Sequence, residues 1–457
     1  LHTPAGETVL DMGQNMVGWM EFSINQPAGI AVRLQFGEIL QNGNFYRDNL
    51  RSARSEYFYV SDGTQQTIIP HFTFYGYRYV KVEKLLCDEP AEAYAVMRGE
   101  KGEVIYTPMP DTVKDNFVGL AVYSELPRTG KLVTGNPLLN RLIANTEWGQ
   151  KDNFVDVPTD CPQRDERMGW TGDAQVFSWT AAFNRNTALF YKKWMRDVAA
   201  ESSLEKGVPH VVPDILESYS SSAWSDVAVI VPWVVYQIYG DKGILEENWK
   251  CMHEWVDYIK NNCGENGLWQ SGFQYGDWLA LDKEESSDRT GATDKYMIAN
   301  AYYLYVTELV KKTAEVLGKD EEAKKYADLY ETTLDAFQRE YYTETGRIVS
   351  ETQTGAIISL YFNLAREKDR KRILNTLLTN IGNHKNHLAT GFVGTPYICH
   401  TLSENGAHEM AATLFMKEDY PSWLYAVNMG ATTIWERWNS IKPDGTFDES
   451  GMNSLNH

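Results

Sequence analysis

The sequence predicts a mainly helical chain with a β-rich start: an antiparallel β-sandwich followed by a toroid of helical hairpins. Two observations carry this expectation. Up to about residue 105, apolar and polar residues alternate with a period of two; beyond about residue 135, the period becomes 3.6. The helical stretches then follow one another through loops of uneven length, with no strand pattern between them.

In the first part, the runs from Val32 to Leu40, Glu56 to Val60 and Tyr77 to Val82 alternate and are bounded by Gly, Asp and Asn, as strands joined by turns are. Residues 1–105 are therefore expected to form a β-sandwich accessory domain, 106–134 a linker and 135–457 the helical domain. That domain is expected to open at Asn136, a cap residue, with Pro137 at the first helical position and Leu139, Leu142, Ile143 and Trp148 along one face. Further helices are expected at about 173–183, 186–205, 225–239, 244–262, 293–317, 320–341, 356–365, 368–381, 395–403, 405–416 and 420–428.

The most informative stretch lies in a loop between two of these helices. Asp160, Arg164, Asp165, Glu166, Arg167, Trp170 and Asp173 fall within fourteen residues broken by Pro162, Gly169 and Gly172. Such punctuation bends the chain, so the polar groups can converge instead of spreading around a helix. Crowded acids raise the pKa of at least one of them, and an indole beside them offers a face for a sugar ring. A solvated linker is the competing reading, but such linkers seldom carry Cys161, Met168 and Trp170 among their charges.

Composition narrows the function. A content of 13 % aromatic residues, with 14 Trp and 27 Tyr, is high; bulky core filling accounts for most of them, and spare tryptophan and tyrosine often line sugar-binding clefts. The net charge of −19 argues against nucleic acid and anionic membranes as partners. The longest apolar run, Val227 to Val235, is too short to span a bilayer and contains Pro232. No leader precedes Leu1, so the chain reads as a mature fragment. Cys87, Cys161, Cys251, Cys263 and Cys399 lack C-x-x-C pairing and metal-spaced His partners, and all five are expected to be thiols with no metal site.

Three further constellations are candidates to join the acidic loop. Asp226 beside Trp224 precedes a helix and reads first as its N-cap. Asp277 beside Trp278 sits in a glycine-marked loop whose plain reading is a surface turn. Glu436 lies between Trp435 and Trp438 and beside Arg437. Hydrolysis of a glycosidic bond needs two carboxyl groups, one acid and one ionised partner, and Glu436 is the best distant partner for the loop. The residues alone do not choose among Glu166, Asp165 and Asp173 for the acid.

The run from Asp160 to Asp173, DCPQRDERMGWTGD, together with Thr433 to Trp438 and the terminal Met452 to His457, resembles the bacterial α-L-rhamnosidases of glycoside hydrolase family 78. The resemblance covers nearly the whole chain. It implies an (α/α)6 barrel behind a leading β-sandwich, inversion of configuration and no cofactor. Residue by residue, Glu166 matches the general acid and Glu436 the general base. Asp160, Arg164, Trp170 and Asp173 match positions that hold the rhamnose ring, while Trp224, Asp226, Trp278 and His457 fit less specific parts of that pocket. Family members continue beyond the position of His457 into a closing helix, so this residue is expected to fray.

The leading expectation is an inverting exo-α-L-rhamnosidase acting on a rhamnose-containing glycoside, oligosaccharide or polysaccharide. Its carboxyl groups should stand roughly 6.5–9.5 Å apart to admit a water. A non-catalytic rhamnose-binding protein is the alternative, and the presence of both Glu166 and Glu436 counts against it. A polysaccharide lyase would want a Tyr or His base, for which a carboxylate pair is a poor substitute.

Overall fold

The computed structural model describes residues 1–85, 106–109, 116–217, 219–283, 289–447 and 453–457; Cys87 and Met452 lie outside them. The chain divides into two compact units. One holds Leu1–Glu125, Val133–Arg167 and Met429–His457, and the other Leu126–Leu132 and Met168–Asn428.

Among the described residues, the first unit begins with nine strands: β1 (Val9–Ile24), β2 (Ala31–Gly37), β3 (Ile39–Gln41), β4 (Asn44–Tyr46), β5 (Glu56–Val60), β6 (Gln66–Ile68), β7 (Tyr75–Leu85), β8 (Tyr106–Pro108) and β9 (Phe117–Ala121). Seven of them form an antiparallel sheet in the order β5-β2-β7-β1-β6, with β8 on β7 and β9 on β1, while β3 and β4 make a separate hairpin. Val32, Leu34 and Phe36 alternate on β2, so they share one face, and they are buried with Met20, Phe22, Tyr77, Val80 and Val82. Leu34 pairs with Val82 and Phe36 with Val80 across the ladder. The expected strands at 32–40, 56–60 and 77–82 correspond to β2 with β3, to β5 and to β7. Strands β8 and β9 fall in the stretch expected as a linker; at three and five residues they are too short for alternation to stand out.

The register of β1 against β7 shifts between Asp11 and Met16. Gly13, at φ 75°, lies in this bulge, and its N–H donates to Asp11 Oδ1 at 2.8 Å. A bulge re-aims the residues beside it. Here Gln14 Nε2 donates to the Thr432 carbonyl at 2.8 Å and the Asn15 N–H to Thr432 Oγ1 at 2.9 Å, tying the sheet to the segment that leads to Glu436. The helix Pro137–Asn153 packs on β1, and Asn136 caps it by accepting from the Leu138 and Leu139 N–H groups.

The second unit is built of helices in alternation. Thr171–Asn184, Val227–Tyr239, Lys295–Val316, Gln353–Tyr361 and Ile398–Glu404 pack in succession, each against the next. Between them in sequence run Ala188–Glu201, Lys242–Asn261, Asp320–Tyr341, Arg370–Asn383 and His408–Phe415, followed by Trp423–Asn428. The two sets bury different amounts of their surface. Val227–Tyr239 buries nearly every residue from Val227 to Val235, whereas Asp320–Tyr341 buries only Tyr326, Thr333, Ala336, Phe337 and Tyr341, a single stripe. All the expected helices are present, with ends displaced by a few residues. Among the described residues no helix is long and apolar enough to cross a membrane, and Cys161, Cys251, Cys263 and Cys399 are free thiols.

Two acids expected at the surface or at a helix start are interior struts instead. Asp226 stands at the N-cap position of Val227–Tyr239 but does not cap it. Its helical backbone turns the carboxylate back, so that Oδ2 accepts the Ala223 N–H at 2.6 Å and Oδ1 the Trp255 indole N–H at 2.7 Å. Burial pushes its pKa up to about 7 against those donors. Asp277 is likewise fully buried and is no surface turn. Its Oδ2 accepts from Thr354 Oγ1 at 2.5 Å and the Gly391 N–H at 2.9 Å, and its Oδ1 from the Val393 and Gly394 N–H groups at 2.8 and 3.1 Å. One side chain thus fixes the loop 391–394. Asp277→Ala strands these four buried donors, so it is expected to destabilise the protein by on the order of 3 kcal/mol. Thermal unfolding of the variant, read as a lowered Tm, is the check; an unchanged Tm would show that the loop does not depend on this carboxylate.

Candidate functional site

The acidic loop starts from a tight hairpin, β10 (Phe154–Val155) and β11 (Val157–Pro158), turned by Asp156 at φ 67°. It then runs beneath β7 at Gly76, where any side chain would meet Gln163: a Cβ there would stand 2.5 Å from the Gln163 Cβ. This close approach lets Arg164 enter the interior with its side chain fully buried.

Arg164 is the centre of the first unit's charges. Its Nη1 donates to Glu436 Oε2 at 2.8 Å and its Nη2 to Glu436 Oε1 at 3.1 Å, while Nε and Nη2 donate to Glu166 Oε2 at 2.9 and 2.6 Å. One guanidinium therefore holds both carboxylates that the sequence pairs. Because Nη2 touches both, the facing oxygens are no farther apart than the sum of its two distances.

Glu436 is almost completely buried. Burial raises its pKa, but the charges of His457 and Arg164 and the Ser454 N–H at 2.9 Å outweigh this and hold it below the ordinary carboxylate range. It is a carboxylate kept ionised in the interior. Its cation is Arg164, 272 residues away in sequence. Asp165 sits at the rim: its Oδ1 accepts from Arg51 Nε at 2.6 Å and its Oδ2 from the Ser52 hydroxyl. Burial opposes the ionised form, yet these donors lower its pKa, which makes Asp165 a poor proton donor. Of the acids left open by the sequence, Glu166 is the one that shares a cation with Glu436.

The terminal residues are tied down, contrary to the expected fraying. The His457 N–H donates to the Ile434 carbonyl and the Glu436 N–H to the Ser454 carbonyl, both at 3.0 Å. Two fully buried acids brace this segment. Glu38 accepts from Asn15 and Asn49 and from the Leu455 N–H, and Asp152 from the Val17 N–H and Asn456. Burial pushes Glu38 up to about 7 and Asp152 up to about 8. Asp160 is buried as well, and it joins Cys161 and His457 in a cluster whose donor atoms all lie within 4.8 Å of one another. The sequence offered no metal-spaced partner for Cys161; folding supplies His457, its Nδ1 at 3.4 Å from Sγ. Burial first, then the Asp160 and Glu436 charges, raise the Cys161 pKa well above its ordinary value. A protonated thiol is a hydrogen-bonding partner and a poor metal ligand.

In the second unit, the predicted tryptophans meet on one residue that the sequence does not single out, Tyr275. Tyr275 stacks with Trp224 at 4.1 Å between ring centroids and meets Trp278 and Trp170 edge-on at 5.5 and 6.2 Å. Phe392, on the loop fixed by Asp277, stacks with Trp224 at 4.9 Å. Gln274 Oε1 links the two segments that carry these rings, accepting from the Ser222 N–H and from the Ser221 and Ser222 hydroxyls. Gly172 owes its place to the same cluster, since a Cβ would come 2.7 Å from the Trp224 indole nitrogen. Asp173 lies in the first turn of Thr171–Asn184, where the helix dipole favours its charge. Asp226 stands apart from the other predicted ligands, because both its oxygens hold protein donors. Arg51, Ser454, Tyr275 and Phe392 were missed. Arg51 carries no motif signal; the aromatic pair was visible only as composition.

Comparison with known proteins follows the same lines. Residues 127–457 match the family described as bacterial alpha-L-rhamnosidase 6 hairpin glycosidase domain, and residues 1–99 match the bacterial alpha-L-rhamnosidase concanavalin-like domain. An alpha-L-rhamnosidase of Formosa agariphila is 39% identical over 99% of this chain and 47% of its own length, and one of Streptomyces avermitilis 37% over 99% and 41%. The chain thus spans about half the length of the curated relatives it matches. The crystal structure of the Streptomyces avermitilis enzyme complexed with L-rhamnose aligns with a TM-score of 0.88 at 36% identity, covering 99% of this chain and 41% of that one. The native Aspergillus terreus enzyme aligns at 0.90 and 35%, covering 100% and 51%. The fold is that of the (α/α)6 glycosidases with a leading sheet domain. With the long acidic motif, the paired carboxylates and these matches in agreement, the chain belongs to the bacterial α-L-rhamnosidases of glycoside hydrolase family 78.

Proposed function

We propose that the protein is an exo-acting glycosidase that releases terminal α-L-rhamnose, with Glu166 as general acid and Glu436 as general base. The observation that carries this reading is the single buried guanidinium of Arg164 joined to both carboxylates. In the reaction Glu166 protonates the departing oxygen while Glu436, held ionised, takes a proton from the attacking water. In the first unit Asp160 and His457 are assigned to polar contacts with the sugar; in the second, Asp173 is assigned a polar contact, and Trp170, Trp224 and Trp278, gathered on Tyr275, offer an apolar surface of the kind a 6-deoxy sugar packs against. The Arg164 fork is spent on the carboxylates, so its part is to orient them, and Asp226 belongs to the framework. The substrate class is a rhamnose-containing glycoside, in keeping with relatives named for that activity.

Glu166→Gln keeps shape but removes the transferable proton, and Glu436→Gln removes the base. On an alkyl rhamnoside, whose leaving oxygen needs a proton, each should lower kcat by at least ~10²-fold with rhamnose binding largely kept. Turnover at the wild-type rate in either variant would remove that residue from its role.

The anomer of the first-formed sugar is the decisive stereochemical measurement. Proton NMR at early times should show β-L-rhamnose from an α-linked substrate, because water attacks opposite the leaving group. If the α anomer came first, Glu436 would be a nucleophile and the base assignment would be lost.

A further inference from the structure

The sheet region sets a second guanidinium, that of Arg51, against Glu166. Arg51 ends the short 3-10 turn Asp48–Leu50 with φ 56° and ψ −120°, a conformation costly for any residue with a Cβ. From it, Nη2 donates to Glu166 Oε2 at 2.9 Å, the oxygen that also receives Nε and Nη2 of Arg164. Asp165 fixes the other side of the same guanidinium through Nε at 2.6 Å, and Ser52 fixes Asp165.

We propose that Arg51 is a positioning residue for proton donation: together with Arg164 it commits Glu166 Oε2 to accepting, so that the proton given to the leaving group is carried on Oε1. This rests on the reading of Glu166 as the general acid. When the C1–O bond breaks, the Oε1 proton passes to the departing oxygen, which leaves as a neutral alcohol. The water oxygen bonds to C1 and yields its proton to Glu436. Negative charge therefore grows on the Glu166 carboxylate as the barrier is crossed, and two guanidinium groups already aimed at Oε2 stabilise that charge more in the transition state than before it. The Arg51 side chain is 31% exposed, so its ion pairs add little to folding, and a purely structural role would leave little to lose.

The test compares leaving groups. Methyl α-L-rhamnoside needs its oxygen protonated to depart, whereas 2,4-dinitrophenyl α-L-rhamnoside departs as a stable anion. For Arg51→Gln in the full chain, kcat on the methyl glycoside should fall on the order of tenfold or more, with a change within about threefold on the dinitrophenyl glycoside. KM and Tm should move little. Asp165→Asn, which loosens the anchor of Arg51, should give a smaller version of the same pattern and stands in if the Arg51 variant folds poorly. Equal losses on both substrates, or none on the methyl glycoside, would overturn the proposal. Glu166→Gln, run in parallel, separates the two readings. If it shows the leaving-group dependence and the Arg51 variant does not, only Arg51 loses its role. If Glu166→Gln loses equally on both substrates, the acid assignment falls and takes the Arg51 proposal with it.

Discussion

A guanidinium taken wholly out of water is tolerable only when its N–H groups find charged acceptors, and around Arg164 this constraint organises everything else in the first unit. Glu166 and Glu436 are those acceptors. Once Arg164 is buried, the two acids must face each other across it, and the strands and loops that carry them must end where it lies. The glycine at position 76, which admits Gln163, and the bulge in β1, which reaches the 432–433 segment, both serve this closure.

The opposition of burial and hydrogen bonding recurs through the molecule with different results. Glu38, Asp152, Asp226 and Asp277 are all interior carboxylates with donors, yet burial prevails and their pKa values rise. None of them hydrogen-bonds a cation among the contacts described. Glu436 is just as enclosed, but beside Arg164 and His457 it stays ionised. Neighbouring charge, more than hydrogen bonding, separates the acid held ionised from the acids that brace.

Much of this was legible in the sequence where periodicity or a dense motif carries the information. The helix Asp320–Tyr341 could be bounded to the residue because its apolar stripe is narrow and its ends are charged. Glu436 could be chosen because a carboxylate flanked by indoles has few other reasons to exist. Arg51 could not, since it lies 115 residues from Glu166 in an unremarkable turn and only folding joins them. Asp226 misled for a local reason: the residue type suits a cap, but its backbone is already helical and its carboxylate has better partners behind it. Gly172 was read as a loop breaker, while its place is set by the indole that leans on it.

The segment beside Glu436 is braced by residues that lie far before it in sequence: Asp152 meets Asn456 across 304 positions and Glu38 meets Leu455 across 417. Contacts of such long sequence separation close late in folding, because the loop entropy must be overcome before they contribute. During synthesis the acidic loop is therefore made long before its partner can be held opposite it. Glu436 can be braced only once residues 453–457 have been made, so Arg164 and Glu166 exist well before the acid they face is secured.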